Sequence, residues 1–243
     1  MAEFERSGYE ARMASQLGQI SAKRSIELQR LLGDPPDWRA VPDTWWAEAR
    51  KEFENELIAA LLLIYIAAAS SRGVERSAIA QAAQTFAASR ASRIAANLIT
   101  NARQRLQDGL SRLILGAAGR DIRPDEVRQR AQVAIGPARS AAIARTETTQ
   151  AITQATRDAR DVVSVGRDLP LLVWFLGPCA HCTFCPLVAG TDEAVWGRYV
   201  SGPPAHVHCC CELQIMPPGT RLISPPPDTH IRAAMEESGV FGF

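Results

Sequence analysis

Every cysteine and histidine that could ligate a metal in a cluster lies late in this chain. No cysteine or histidine precedes position 179, and nine of them fall between 179 and 211. The cysteines are Cys179, Cys182, Cys185, Cys209, Cys210 and Cys211, with His181, His206 and His208 among them. Three consecutive cysteines pair poorly with one another. Met1 is followed by Ala-Glu-Phe-Glu-Arg, so no export signal is expected and disulfides are disfavoured. A metal is the better account. Cys182-x-x-Cys185 makes one two-ligand turn, and His206-x-x-Cys209 further along makes a second. Two thiolates from one turn and N/S donors from the other form a tetrahedral site of the zinc type. These soft donors select zinc over magnesium or calcium. Cys211 lies two positions past Cys209. In a strand the two would point to one face, so Cys211 is a substitute or an extra ligand. Cys179 and Cys210 are spare in this scheme. Reduced free thiols, and an iron–sulfur or catalytic centre, are the competing readings.

The enzyme reading has one sequence hook. Pro178-Cys179-Ala180-His181-Cys182 matches the Pro-Cys-x-x-Cys half of a zinc deaminase. The His-x-Glu half is missing, because no histidine precedes His181, so the site lacks its general acid/base. The chain also lacks a phosphate-cradling glycine-rich loop and a His-Glu-x-x-His helix. A zinc ion with four protein ligands leaves no open coordination position. The expectation is structural zinc and no enzymatic activity.

The rest of the chain is different in kind. Positions 1–160 carry 23 Lys+Arg and 18 Asp+Glu, and positions 161–243 carry 4 and 8. Ten of the 15 prolines follow position 160. With 47% hydrophobic and 22% charged residues the whole is globular in composition. Only Lys23 and Lys51 are lysines. An arginine-rich face is suited to phosphate, but the acids nearly balance the arginines, and the codon composition of a GC-rich genome is the preferred explanation. The longest apolar run is Leu57 to Ala69. That is shorter than the roughly 18–20 residues a membrane span needs, so a buried helix is expected there.

Helical periodicity dominates up to position 160. Positions 9–32 form one helix, stopped by Gly33-Asp34-Pro35-Pro36. A second starts at Trp45-Trp46 behind Val41-Pro42-Asp43-Thr44 and ends near Ser71, before Arg72-Gly73. A third, the longest, starts near Val74 and is ended by Gly116 and Gly119. Its stripe is Ile79, Ala83, Phe86, Ile94, Leu98, Ala102, Leu106, Leu110 and Leu113. Pro124 opens a short helix that Gly136-Pro137 ends. The last long helix runs from Ala138 to Arg160, with Ala141, Ala144, Thr148, Ile152, Ala155 and Ala159 on one side. Within it, Arg145-Thr146-Glu147-Thr148-Thr149 is unusually polar for mid-helix, since threonine is a mediocre helix former. An internal Arg–Glu contact and a partner contact both explain it. Positions 170–176 read as a buried strand. The tail after Met216 is proline-rich, with a short helix from Asp228 or Thr229 to Glu237.

Three segments resemble a known family, the phage Mu F-like (SPP1 gp7-like) head morphogenesis proteins. Ala144-Arg145-Thr146-Glu147-Thr148 is similar to the family's Ala-Arg-Thr-Glu helix. Cys182-Thr183-Phe184-Cys185 with Gly190 is similar to its Cys-x-x-Cys…Gly hairpin. Gly202-Pro203-Pro204-Ala205-His206-Val207-His208-Cys209-Cys210-Cys211 is similar to its Pro-Pro-x-His-x-x-Cys-x-Cys run. The match spans about 136–213. It departs at Cys210, where the family tends to have arginine, and before the first cysteine. The resemblance implies a minor capsid protein of the virion, present in few copies at the portal vertex. It would contact portal protein or major capsid protein and act in head assembly and DNA packaging or ejection. DNA is a further partner on this reading; a membrane or small-molecule substrate is not. Before assembly it would lie in the host cytoplasm. The alternative is a zinc-ribbon nucleic-acid-binding module.

The expected fold is mainly α: an elongated helical N-terminal part with a small α+β zinc-binding C-terminal domain. The expected divisions are 1–40 (helix and linker), 41–165 (long helices), 166–216 (zinc-binding β domain) and 217–243 (tail). The expected metal ligands are Cys182, Cys185, His206 and Cys209, with Cys211 as substitute or addition.

Overall fold

The computed structural model describes residues 5–117, 120–165, 168–178, 180–206 and 208–240. It is mainly α, with one small antiparallel sheet in the C-terminal region. Helix α1 spans Arg6–Leu32, α2 Asp43–Ser70, α3 Arg76–Ala117, α4 Pro124–Ile135 and α5 Ser140–Val163. Their ends follow the punctuation of the sequence. Gly33 and Gly73 stand at φ +72° and +82° just past α1 and α2, a conformation that costs glycine little. Pro124 occupies the first turn of α4. Behind it, the Arg123 N–H and the Arg120 guanidinium both bond Glu126. Those bonds hold its carboxyl down to about 2.

The chain divides into two compact units. One comprises residues 11–60 and 86–141. Its core includes Met13, Leu17, Leu28, Leu32, Trp45, Trp46, Phe53 and Leu57. A buried cation lies within it. Arg24 pairs with Glu27 at 2.9 Å and with Glu52 at 2.7 Å, while the Trp45 indole N–H donates to Glu27. Burial works against ionised Glu52, but bonds and charges from Lys23 and Arg24 outweigh it and lower its pKa. A guanidinium so placed is tolerable because carboxylates meet it on two sides.

The periodic stripe of α3 holds at its ends and shifts in the middle. Ile79, Ala83, Ala102, Leu106, Leu110 and Leu113 are buried as expected. Between them the buried line is Ala87, Ala91, Ala95 and Ile99, whereas Phe86, Ile94 and Leu98 are half-buried flanks. From Ile79 to Ile99 the buried line advances four positions at a time. Alanines on it let the backbone approach its neighbours closely, which larger side chains would prevent. By length and composition α2 is apolar enough to cross a membrane. Protein nevertheless covers its face at Leu57, Leu61, Ile64, Tyr65, Ala68 and Ala69, each at most 1% exposed.

The second unit comprises residues up to 10, 61–85 and 142–243. Strand β1, Leu171–Phe175, pairs antiparallel with β2, Glu212–Met216, in the register Leu171↔Met216 to Phe175↔Glu212. Two such short strands are marginal alone. The segment between them supplies the missing packing. It carries two single-turn helices, α6 (Cys185–Val188) and α7 (Glu193–Trp196). Trp174 meets Phe184 and Trp196 edge-on at centroid distances of 6.1 and 6.0 Å. Helix α8, Asp228–Ser238, adds Ile231 and Ala234 to this cluster.

Helix α5 is buried on more sides than a single stripe. Ala141 is exposed, contrary to expectation, because the buried line at the start of α5 passes through Ser140 and Ala144 instead. From Glu147 to Thr156 only Gln150 and Gln154 are half-buried; the others are buried. Tyr65 donates its hydroxyl proton to Asp158, which also accepts from Gln154 at 3.0 Å. Burial, with Asp161 adding to it, pushes the Asp158 carboxyl up to about 6. A raised acid pKa favours folding in the protonated state. The stability it contributes is present below the unfolded value near 3.8 and is lost as pH rises through about 6. Asp158→Asn should therefore raise stability at pH 8 relative to the parent chain and leave it nearly level at pH 4. Half-exposure limits the gain to about 1 kcal/mol. Urea melts at both pH values check it.

Candidate metal centre

The cysteine loops are placed by packing before any metal is considered. Leaving β1, the chain passes Gly177 so close to the later loop that a Cβ there would lie 1.8 Å from the Cys210 carbonyl oxygen. Only glycine fits such an approach. Beyond it, Phe184 is fully buried against Trp174 and fixes the Cys182–Cys185 turn. The Cys185 N–H points at the Cys182 sulfur at 3.4 Å. In the second turn the Cys209 N–H bonds the His206 carbonyl at 3.2 Å. The non-glycine residue His208 takes φ +67° there.

The polar stretch of α5 braces this second turn. The Thr149 hydroxyl donates to the Cys209 carbonyl at 2.7 Å. Arg6 of α1 donates to the Cys210 carbonyl at 2.6 Å and to the Thr149 hydroxyl oxygen. The His208 N–H reaches the Thr146 hydroxyl oxygen at 3.4 Å. Arg145 and Arg6 share Glu10, at 3.8 and 2.7 Å. The threonines thus serve the chain's own cysteine loop.

Around these turns the donors fall into two groups, each with its ligand atoms within 4.8 Å of one another. The first is Cys182, Cys185 and His206; the second is Cys185, Cys209 and Cys211. The four expected ligands are therefore divided: Cys182, Cys185 and His206 meet in one group, while Cys209 meets Cys185 in the other. Cys185 Sγ is 3.4 Å from Cys182 Sγ, 3.6 Å from His206 Nε2 and 3.9 Å from Cys209 Sγ. Cys211 joins Cys209 without a strand between them, since β2 starts only at Glu212. Beyond the expected set, His181 Nδ1 lies 3.9 Å from Cys211 Sγ. Its place beside Cys182 is the only sequence signal for it.

The four cysteines of these groups are free thiols. Cys185, Cys209 and Cys211 are each 1% exposed, while Cys182 and His206 are half-buried. Hydrogen bonds from the Cys185 and Cys211 thiols, helped by the backbone of Ala205 and Cys211, pull the Cys209 thiol far below the usual range. The same sharing pushes Cys185 up. Three sulfurs so close compete for protons, and a bound cation removes the competition by making all of them thiolates. Cys210 is in a disulfide, which corrects the expectation that the chain has none. It belongs to neither donor group, and its carbonyl oxygen faces Arg6 and Gly177. Cys179 lies outside the described residues.

The molecule is thus a mainly helical protein whose small C-terminal domain gathers cysteine and histidine donors closely enough to hold a metal ion. Comparison with protein-family models, curated proteins and solved structures returns no match.

Cys185→Ser removes the one residue common to both groups. It should abolish metal retention and expose residues 176–216 to limited proteolysis. Thr149→Val keeps every candidate ligand but strands the Cys209 carbonyl. It should cost about 1–3 kcal/mol in denaturant melts with the metal content of the folded protein unchanged.

Proposed function

We propose that this chain is a minor head protein of a phage particle, with a structural zinc site that locks its C-terminal domain. The observation that carries the reading is the meeting of the three segments that resemble the head morphogenesis family. Thr146 and Thr149, in and just after the Ala-Arg-Thr-Glu stretch, bond the backbone of the His206–Cys211 run. The side chains of that run meet the Cys182–Cys185 turn. Segments dispersed from Ala144 to Cys211 thereby build one contact, as expected if they are parts of one device.

Zinc is the ion the donor distances favour. With Zn–S near 2.3 Å and Zn–N near 2.0–2.1 Å, a tetrahedron has S···S edges of about 3.8 Å and S···N edges of about 3.6 Å. The Cys185 contacts of 3.4, 3.6 and 3.9 Å match that scale. The role is structural. The sulfurs are mostly buried, and no carboxylate stands among the donor groups of the described residues to serve as a general base. On this reading the long helices contact portal or capsid protein, and the metal domain is a rigid clip.

DNA is a further partner with its own support. Positions 86–141 hold ten arginines against four acids. Arg105, Arg112 and Gly109 share a face of α3 by spacing. Arg130 of α4 lies over Gly109, its Cδ 3.2 Å from where a Cβ would stand. Burial and the charge of Arg139 lower the pKa of Arg105. Among the described residues none of these four arginines is in an ion pair.

Quantitative mass spectrometry of purified DNA-filled particles and procapsids from the source phage tests the main reading. A few copies per portal ring are expected; absence from both overturns it. For DNA, fluorescence anisotropy across a salt series should give a log–log slope near −3, about 0.9 per phosphate contact. The Arg105→Ala/Arg139→Ala pair should flatten it by about 2. No binding at about 50 mM salt removes DNA from the partners.

A further inference from the structure

We propose that the Cys/His cluster holds two metal ions that share the Cys185 thiolate as a bridge. The proposal rests on the metal reading above and adds a second position to it. One tetrahedral ion needs four donors that are all mutual neighbours. The described donors do not close in that way. They form two triads, Cys182–Cys185–His206 and Cys185–Cys209–Cys211, whose only common member is Cys185. Two tetrahedra joined at one vertex have this pattern: the shared donor is near all the others, and the terminal donors of different ions stand further apart.

The donor count fits two ions and leaves too much for one. His181 Nδ1 lies 3.9 Å from Cys211 Sγ at the edge of the second triad, which itself holds three mutually close donors, Cys185, Cys209 and Cys211. The first triad also holds three. Counting Cys185 twice, six of eight coordination positions are filled by the two triads. One of the remaining two falls beside Cys182 and His206, the two half-buried members, where a solvent molecule can complete the shell, and the other falls on the Cys211 side, where His181 stands. With a single ion on the first triad, Cys209 and Cys211 would be left as thiols, 1% exposed, beside a metal-bound thiolate.

Charge balance points the same way. Four thiolates and two divalent ions sum to zero, with four thiol protons released on binding. Four thiolates on one divalent ion would leave two negative charges in a site whose three inner sulfurs are buried, and uncompensated buried charge is costly. Among the described residues no lysine or arginine side chain bonds a sulfur of the cluster; Arg6 bonds the Cys210 carbonyl and Arg72 the Leu213 carbonyl instead.

The test is the metal stoichiometry of the full chain. The purified protein is equilibrated with excess zinc, freed of loosely bound ion on a chelating resin, and analysed by inductively coupled plasma mass spectrometry. Two equivalents per chain are expected. One equivalent overturns the bridge while sparing the single-site reading, and none overturns both. Loading with cadmium-113 gives a second readout: two thiolate-shifted resonances with scalar coupling through the shared sulfur are expected, and a single resonance overturns the proposal. Cys211→Ser, which leaves the Cys182–Cys185–His206 triad intact, should drop the zinc content from two to one with the circular dichroism spectrum unchanged. Retention of two equivalents in that variant would overturn the assignment of the second position.

Discussion

Two backbone carbonyls, those of Cys209 and Cys210, connect the metal-binding loop to the helices. Thr149 of α5 donates to the first and Arg6 of α1 to the second, and Arg6 also bonds the Thr149 hydroxyl. Irregular backbone cannot satisfy its own carbonyls, so a buried loop of this kind needs donors from elsewhere. Thr149 is 1% exposed; its single hydroxyl proton is shared between the Cys209 carbonyl at 2.7 Å and the Arg145 carbonyl at 3.0 Å, while its oxygen accepts from Arg6. This contact fixes where Cys209 and Cys211 stand relative to the rest of their unit. The Cys182–Cys185 turn is fixed separately, by Phe184 in the aromatic cluster. The donors converge because two independently braced loops face each other.

Whatever repeats or is punctuated locally is legible in the sequence. The four long helices and the short one that Pro124 opens follow from apolar periodicity and from the Gly and Pro residues between them, with boundaries only a few positions off. Hydrophobic weight misplaces the middle of α3, because it favours Phe86, Ile94 and Leu98 while the chain buries Ala87, Ala91 and Ala95. Close helix approach selects for small residues, and a hydrophobicity count undervalues them. Ala141 goes to the wrong face for the converse reason, since alanine is equally at home outside.

The donor types are legible from spacing, since Cys-x-x-Cys and His-x-x-Cys each set two ligands on one turn. Their grouping is not, because it depends on how two turns meet across the 24 residues from Cys185 to Cys209. The brace is invisible for the same reason. Arg6 and Cys210 are 204 residues apart, and nothing in the local sequence of Arg6 marks it. Thr146 to Thr149 do leave a trace, as a polar run that helix propensity does not favour. The disulfide of Cys210 escapes a reading that sets Cys210 aside as a spare thiol and disfavours disulfides because consecutive cysteines pair poorly with one another.

A metal held by the Cys/His cluster, as proposed, would answer a specific weakness of this domain. The sheet is two short strands, and the whole excursion from Phe175 to Glu212 lies between them. Ordering such an excursion costs conformational entropy that so few paired residues recover poorly. A bond through metal from Cys185 to Cys209 closes 24 residues of it. Treated as a cross-link on the unfolded chain, that closure is worth about 3.5 kcal/mol, comparable to burying one or two large side chains. Its position matters as much as its size. The ligated turns carry Phe184 at one end and Ala205 at the other, both at most 2% exposed in the aromatic cluster with Trp174 and Trp196. On the proposed reading, closing the site around an ion would also hold the hydrophobic cluster shut and so couple ion binding to core formation.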